Sequence, residues 1–194
     1  RDQGSVTYSA ALESAASHDT ATAPSAFAQR VDREAQRRGF DHAPRRVVLG
    51  DGAPWIWNLA DELFPGAIQI VDLFHAKQHL SDVAKAIYGP GTDLSRQWAR
   101  LRHDELDAGQ VDELLEALRT HATTHDEART CLNYVTHHRA RMRYPVFRAQ
   151  GLCVSSGVVE AGCKVAIGTR LKRTGMHWTV AGADAIIALR CCKL

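Results

Sequence analysis

Three carboxylates in the 194-residue chain have the type and setting for metal-dependent chemistry: Asp51, Asp72 and Glu160. Asp51 stands between two glycines at the end of an apolar run, VLGDGAPWIW, and Asp72 follows a second apolar run, AIQIV. Mg²⁺ is a hard ion that takes oxygen ligands and is usually held by one or two carboxylates together with substrate phosphates. Two such ions roughly 4 Å apart clamp the attacking and leaving oxygens of an in-line phosphoryl displacement. That chemistry asks for carboxylates on separate elements, beside a basic surface that binds a polyanion. Plainer readings stand next to it. Gly and Asp tolerate unusual backbone angles and Asp caps helices, so Asp51 also fits a simple turn. Glu160 also fits a surface helix residue paired with Lys164 at i+4. A rival site is His75 with His79, spaced i, i+4 on an expected helix with Asp72 one turn earlier, a possible zinc face. Ala76 stands where a zinc protease of the HExxH kind carries its glutamate.

The elements that must position these residues follow from periodicity. SVTYSAAL (5–12) alternates and carries β-formers, which predicts a short strand, and 14–25 reads as a loop. Phe27, Val31 and Ala35 recur at helical spacing over 26–38, with Gly39 as a stop. RRVVLG (45–50) reads as a buried strand. A helical face of Trp55, Ile56, Leu59 and Leu63 ends near Pro65, and AIQIV (67–71) is a second strand. Strand, helix and strand with short links predict a parallel pair with a right-handed crossover. Asp51 and Asp72 then lie at carboxyl ends of parallel strands, where open α/β sheets place ligands. Helices are expected near 74–87, 94–106, 110–122 and 126–142, with GPGTD (89–93) as a break. Their amphipathic, acidic character reads as a small helical bundle. RYPVFRAQGLCV (143–154) reads as loop or extended chain. A helix capped by Ser155 or Ser156 carries Glu160 and Lys164, and Thr179 caps a last helix through Ala181, Ile186, Ile187 and Leu189. Trp55 and Trp57 read as core and corner packing, whereas Trp178 and Met176 border the basic loop GTRLKRTGMHW.

Composition is that of a soluble globular chain, with 45% hydrophobic and 24% charged residues. No stretch approaches the roughly 18 apolar residues of a membrane span. Five scattered cysteines, with no CxxC pair, fit reduced thiols in a cytosolic setting. The net charge of +2 hides an asymmetry: from His138 onward ten basic residues face only Glu160 and Asp184, and the rest of the chain is acidic overall. A basic block of this kind fits a polyanion partner.

Two long stretches, VVLGDGAPWIWNLADELFPGAIQIVDLFHAKQHL and GLCVSSGVVEAGCKVAIGTRLKRTGMHWTVAGADAIIALRCC, resemble insertion-sequence transposases of the Kra type. SVTYSAALESA, FAQRVDREAQRRG and MRYPVFRAQG fit as well, so the resemblance covers nearly the whole chain. It implies a DDE transposase with an RNase H-like α/β fold: a mixed sheet, with an all-helical insertion between the fifth strand and the glutamate-bearing helix. By this resemblance residues 1–73 are the first part of that core, 74–143 the insertion and 144–194 the C-terminal helices of the core. Asp51 is similar to the second catalytic carboxylate and Glu160 to the third, both holding Mg²⁺ or Mn²⁺, with two ions in the complete enzyme. Asp72-x-x-His75 resembles a signature of Mutator-like transposases and takes a supporting role. Lys164, Arg170, Lys172 and Arg173 are expected on the DNA backbone. The family's first catalytic aspartate falls in a stretch upstream of anything matching Arg1, because Asp2, Glu13 and Asp19 lie in no apolar strand followed by glycine. The chain therefore reads as an N-terminally truncated fragment that lacks the first strands and by itself performs little strand transfer. The implied partners are transposon-end and target DNA and further copies of the chain, in a prokaryotic cytoplasm close to the nucleoid and away from membranes. A second hypothesis is a catalytically inactive remnant that binds DNA or self-associates; a third is a zinc hydrolase using His75 and His79.

Overall fold

The computed structural model describes residues 6–13, 22–172, 175 and 177–193. Asp2, Asp19, Arg173, Met176 and most of the 14–25 stretch lie outside the described residues. The chain divides into two compact units, Arg45–Ser155 and Arg1–Pro44 with Ser156–Leu194.

In the 45–155 unit, β1 (Val47–Gly50) and β2 (Ile68–Val71) pair in parallel, with Val47 opposite Ile68 and Gly50 opposite Val71. Helix α2 (Pro54–Leu63) makes the crossover, and Pro54 sits in its first turn, where a missing N–H leaves no hydrogen bond unmade. Four longer helices follow: α3 (Leu73–Tyr88), α4 (Asp93–Ala108), α5 (Val111–Ala122) and α6 (Asp126–His138). α3 packs on α4 and α6, and α5 packs on α4 and α6. Leu80, Leu106, Leu114 and Leu118 lie fully inside this bundle and share one core with Trp57, Ile70, Val71 and Val135. Each such side chain contributes roughly 1.5–3 kcal/mol of burial. The sequence placed these elements within a few residues, except that α6 stops at His138 and a 3₁₀ turn covers Arg139–Arg141. The 143–154 stretch, expected to be non-helical, contains α7 (Tyr144–Ala149). Buried Tyr144 and Phe147 anchor that helix, with Pro145 in its first turn.

The other unit holds α1 (Ala26–Arg37), α8 (Gly157–Cys163), α9 (Thr169–Leu171) and α10 (Val180–Lys193). Ser25 Oγ accepts from the Ala28 amide at 3.1 Å and starts α1. α8 runs into α9 through a π-helical stretch, Lys164–Gly168. A π turn disturbs the regular i→i+4 pattern and loosens carbonyls. Here Arg190 of α10 collects them, donating to Ala166 O at 2.9 Å and Val165 O at 2.6 Å.

The RNase H-like mixed sheet does not exist among the described residues. They are mostly helical, and their only sheet is the two-strand pair β1–β2. Residues 6–12, the described part of the strand expected over 5–12, form none. A strand needs a neighbour for its backbone, and this segment finds helix partners instead. Leu12 N donates to Asp184 Oδ1 at 2.7 Å, and the Tyr8 hydroxyl donates to Val158 O at 3.1 Å. The Tyr8 ring also lies against Gly162, where an added Cβ would come within 2.0 Å of Tyr8 Cε1. Among the described residues no helix is long and apolar enough to cross a membrane. All five cysteines carry free thiols.

Candidate functional site

The parallel pair brings Asp51 and Asp72 to the same end of the sheet, each directly after its strand. The Asp72 amide donates to Gly50 O at 2.7 Å and carries the pairing one residue past the strands. From there the two aspartates differ. Asp72 is 1% exposed, and its Oδ1 accepts from the amides of Phe74 at 2.7 Å and His75 at 3.1 Å. It is the N-cap of α3, and the Asp72-x-x-His75 spacing is the spacing from an N-cap to the third helical residue. Its buried charge also sits at the positive end of the α3 dipole. Asp51 is exposed, and its Oδ1 accepts from the Ala53 amide at 2.9 Å in the corner that leads into α2.

Both glycines around Asp51 have a packing reason. At Gly50 an added Cβ would lie 2.9 Å from Ile56 Cγ2, so α2 closes down onto the strand end. Gly52 is buried with φ 106°, a region L side chains rarely adopt, and an added Cβ would meet Tyr134 Cε2 at 2.5 Å. The Tyr134 hydroxyl donates to Asp51 O at 2.7 Å. Its ring lies between His79 (centroids 4.5 Å apart) and His138 (4.9 Å). His138 continues to Trp57 at 6.0 Å, and the Arg141 guanidinium lies 4.8 Å over the Trp57 ring. A ladder of rings from α3, α6 and α2 thus stands behind the Asp51 corner.

Burial governs the ionisation of this ladder. It pushes the Tyr134 hydroxyl well above the ordinary phenol range, with Asp51 adding to the effect. Burial lowers His79, partly offset by Asp82 and Asp51. It holds His138 down to about 4, helped by His137 and Arg141 and opposed by a hydrogen bond with the Gly52 backbone. His138 Nδ1 is buried without a hydrogen-bond partner, which fits a neutral imidazole. The site is therefore an exposed carboxylate backed by stacked aromatic rings.

The remaining sequence candidates fall in the other unit. Glu160 is exposed in the first turn of α8, and among the described residues it makes no ion pair with Lys164. Lys164 and Lys172 are exposed. The Arg170 guanidinium lies 5.4 Å over the Trp178 ring, a cation–π arrangement that presents a planar cation beside an aromatic face.

Comparison of the chain with protein-family models, curated proteins and solved structures finds no match. The assignment of the site rests on its residues. Among the described residues no three His, Cys, Asp or Glu side chains gather into a metal-binding set. Tyr134 and His138 escaped the sequence reading. Their i, i+4 spacing in NYVTHH was the available signal, but nothing local ties it to a corner 83 residues earlier.

Proposed function

We propose that this chain is a piece of the catalytic region of a DDE-type DNA transposase, with Asp51 and Glu160 as carboxylates for divalent-cation-dependent phosphodiester chemistry. One observation carries the reading: an exposed aspartate on a close-packed, glycine-flanked corner at the carboxyl end of a parallel strand pair. Oδ1 is engaged by the Ala53 amide. A carboxylate has about four acceptor sites, so oxygen capacity remains for a hard cation. The sequence resemblance supplies Glu160 as the second carboxylate and DNA as the substrate. A bound Mg²⁺ or Mn²⁺ would polarise the phosphoryl oxygens and lower the pKa of the attacking group. Water, and later a DNA 3′-hydroxyl, attacks phosphorus, and the P–O bond to the leaving 3′-oxygen breaks. Lys164, Arg170 and Lys172 supply sequence-independent contacts to the DNA backbone, and the active complex holds several copies of the chain.

A second reading is a non-catalytic remnant that binds DNA or self-associates. It is favoured by the use of Asp51 and Asp72 oxygens as backbone caps. Fluorescence anisotropy of labelled duplex DNA, titrated with the chain in Mn²⁺ and in EDTA across salt concentrations, separates the two. The transposase reading expects binding that weakens steeply with salt and tightens with Mn²⁺. Salt-sensitive binding with no Mn²⁺ increment is the result of a DNA-binding remnant; salt-independent or absent binding refutes the transposase reading and leaves only self-association of the remnant.

A further inference from the structure

We infer that Tyr134 of α6 is a positioning residue for the Asp51 carboxylate. This inference rests on the proposed role of Asp51 and gives that role a mechanical support. Tyr134 meets the corner twice. Its hydroxyl donates to the main-chain oxygen of Asp51 at 2.7 Å, and its ring occupies the space a side chain at position 52 would need. The Asp51 carboxylate in turn accepts from the Ala53 amide at 2.9 Å. Residue 51 is thus held at its main-chain oxygen by α6 and at its carboxylate by its own loop. Without the Tyr134 hydroxyl, the residue 51–52 peptide is free to rotate about bonds next to a glycine, the residue with the least steric resistance to rotation. A carboxylate acting on a metal must be held to about 0.5 Å, and a loop achieves that only when a second set of contacts fixes it.

The ring and the hydroxyl of Tyr134 do different work. The ring packs between His79 and His138 and belongs to the core of the unit. The hydroxyl is spent on the corner. Helix α6 therefore does more than fill the bundle: it reaches from the acidic helices to the strand end and sets the geometry of the carboxylate there.

Tyr134→Phe keeps the ring and removes only the hydroxyl, which separates positioning from packing. The test uses the full chain and two readouts: amide hydrogen exchange at Ala53, and the tightening of duplex DNA binding by Mn²⁺ relative to EDTA. Faster Ala53 exchange with exchange along the rest of α6 unchanged, and an Mn²⁺ increment reduced about fivefold, the worth of one hydrogen bond, is the expected result. Unchanged Ala53 exchange overturns the inference whatever the cation does. An Mn²⁺ increment retained in Tyr134→Phe but lost in Asp51→Asn overturns it while leaving the transposase reading intact. A wild-type chain with no Mn²⁺ increment overturns both. A lower urea midpoint together with faster exchange throughout α6 returns Tyr134 to a purely structural role.

Discussion

Acidification should destabilise the 45–155 unit through His138. His138 is 4% exposed, and burial holds its imidazole down to about 4, against 6.5 for an ordinary histidine. A folded pKa lowered in this way has a defined sign. Above pH 6.5 the ring is neutral in both states and the full stability is present. Between 6.5 and about 4 the unfolded chain takes up a proton that the folded chain refuses, so stability falls as pH falls, and the loss is complete below about 4. At about 1.4 kcal/mol per pH unit the total is on the order of 3 kcal/mol. Burial also lowers His79, His103 and His121, so the wild-type slope is a sum. The diagnostic is the difference from His138→Gln, which keeps a polar side chain and removes the titration. Urea unfolding by tryptophan fluorescence reads this unit well, because Trp55, Trp57 and Trp98 all lie in it. The variant should lose less stability than the wild type between pH 6.5 and 4. Identical losses in the two proteins would refute the reasoning, because His138 would then be as easily protonated folded as unfolded.

Gly52→Ala should cost about 2–4 kcal/mol, from a strained positive φ and the clash with Tyr134. Gly66→Ala, at φ 77° with nothing within 4 Å, should cost only about 1 kcal/mol; equal urea midpoints for the two variants would remove Tyr134 from the account. Asp72→Ala should lower stability by about 2 kcal/mol and speed amide exchange in the first turn of α3, because two amides lose their acceptor. Cys131 is buried, and its thiol is pushed up to about 12. Mass mapping after brief alkylation of the native protein should therefore find exposed Cys153, Cys163 and Cys192 labelled well before Cys131.

The local grammar of this chain was easy to read where one period ruled. VVLG and IQIV are short apolar runs bounded by turn residues, and they pair in parallel as a strand–helix–strand unit should. Leu114, Leu115 and Leu118 mark one face of α5, and all three are buried. The failures have physical causes. Val6, Tyr8, Ala10 and Leu12 alternate as a strand does, yet alternation reports only which side chains share a face, and Tyr8 and Leu12 find helix partners. The 143–154 stretch read as loop or extended chain, but Pro145 takes the first turn of α7, where no N–H is required. The mixed sheet was an inference from family resemblance and from no pattern in the residues, and the described strands do not supply it. In the candidate site, GDG was legible as a tight corner and its aspartate as a candidate ligand. Tyr134, which explains Gly52, was not, because a contact across 83 residues leaves no mark in either local sequence.

Asp51 and Glu160 are proposed here as cation-binding carboxylates of a DNA-processing enzyme. The most direct measurement is the affinity of the chain for duplex DNA in Mn²⁺ and in EDTA, compared among the wild type, Asp51→Asn and Glu160→Gln. Both variants should bind like the wild type in EDTA and lose the Mn²⁺ increment. An increment that survives in both contradicts the claim, whatever else the chain does with DNA.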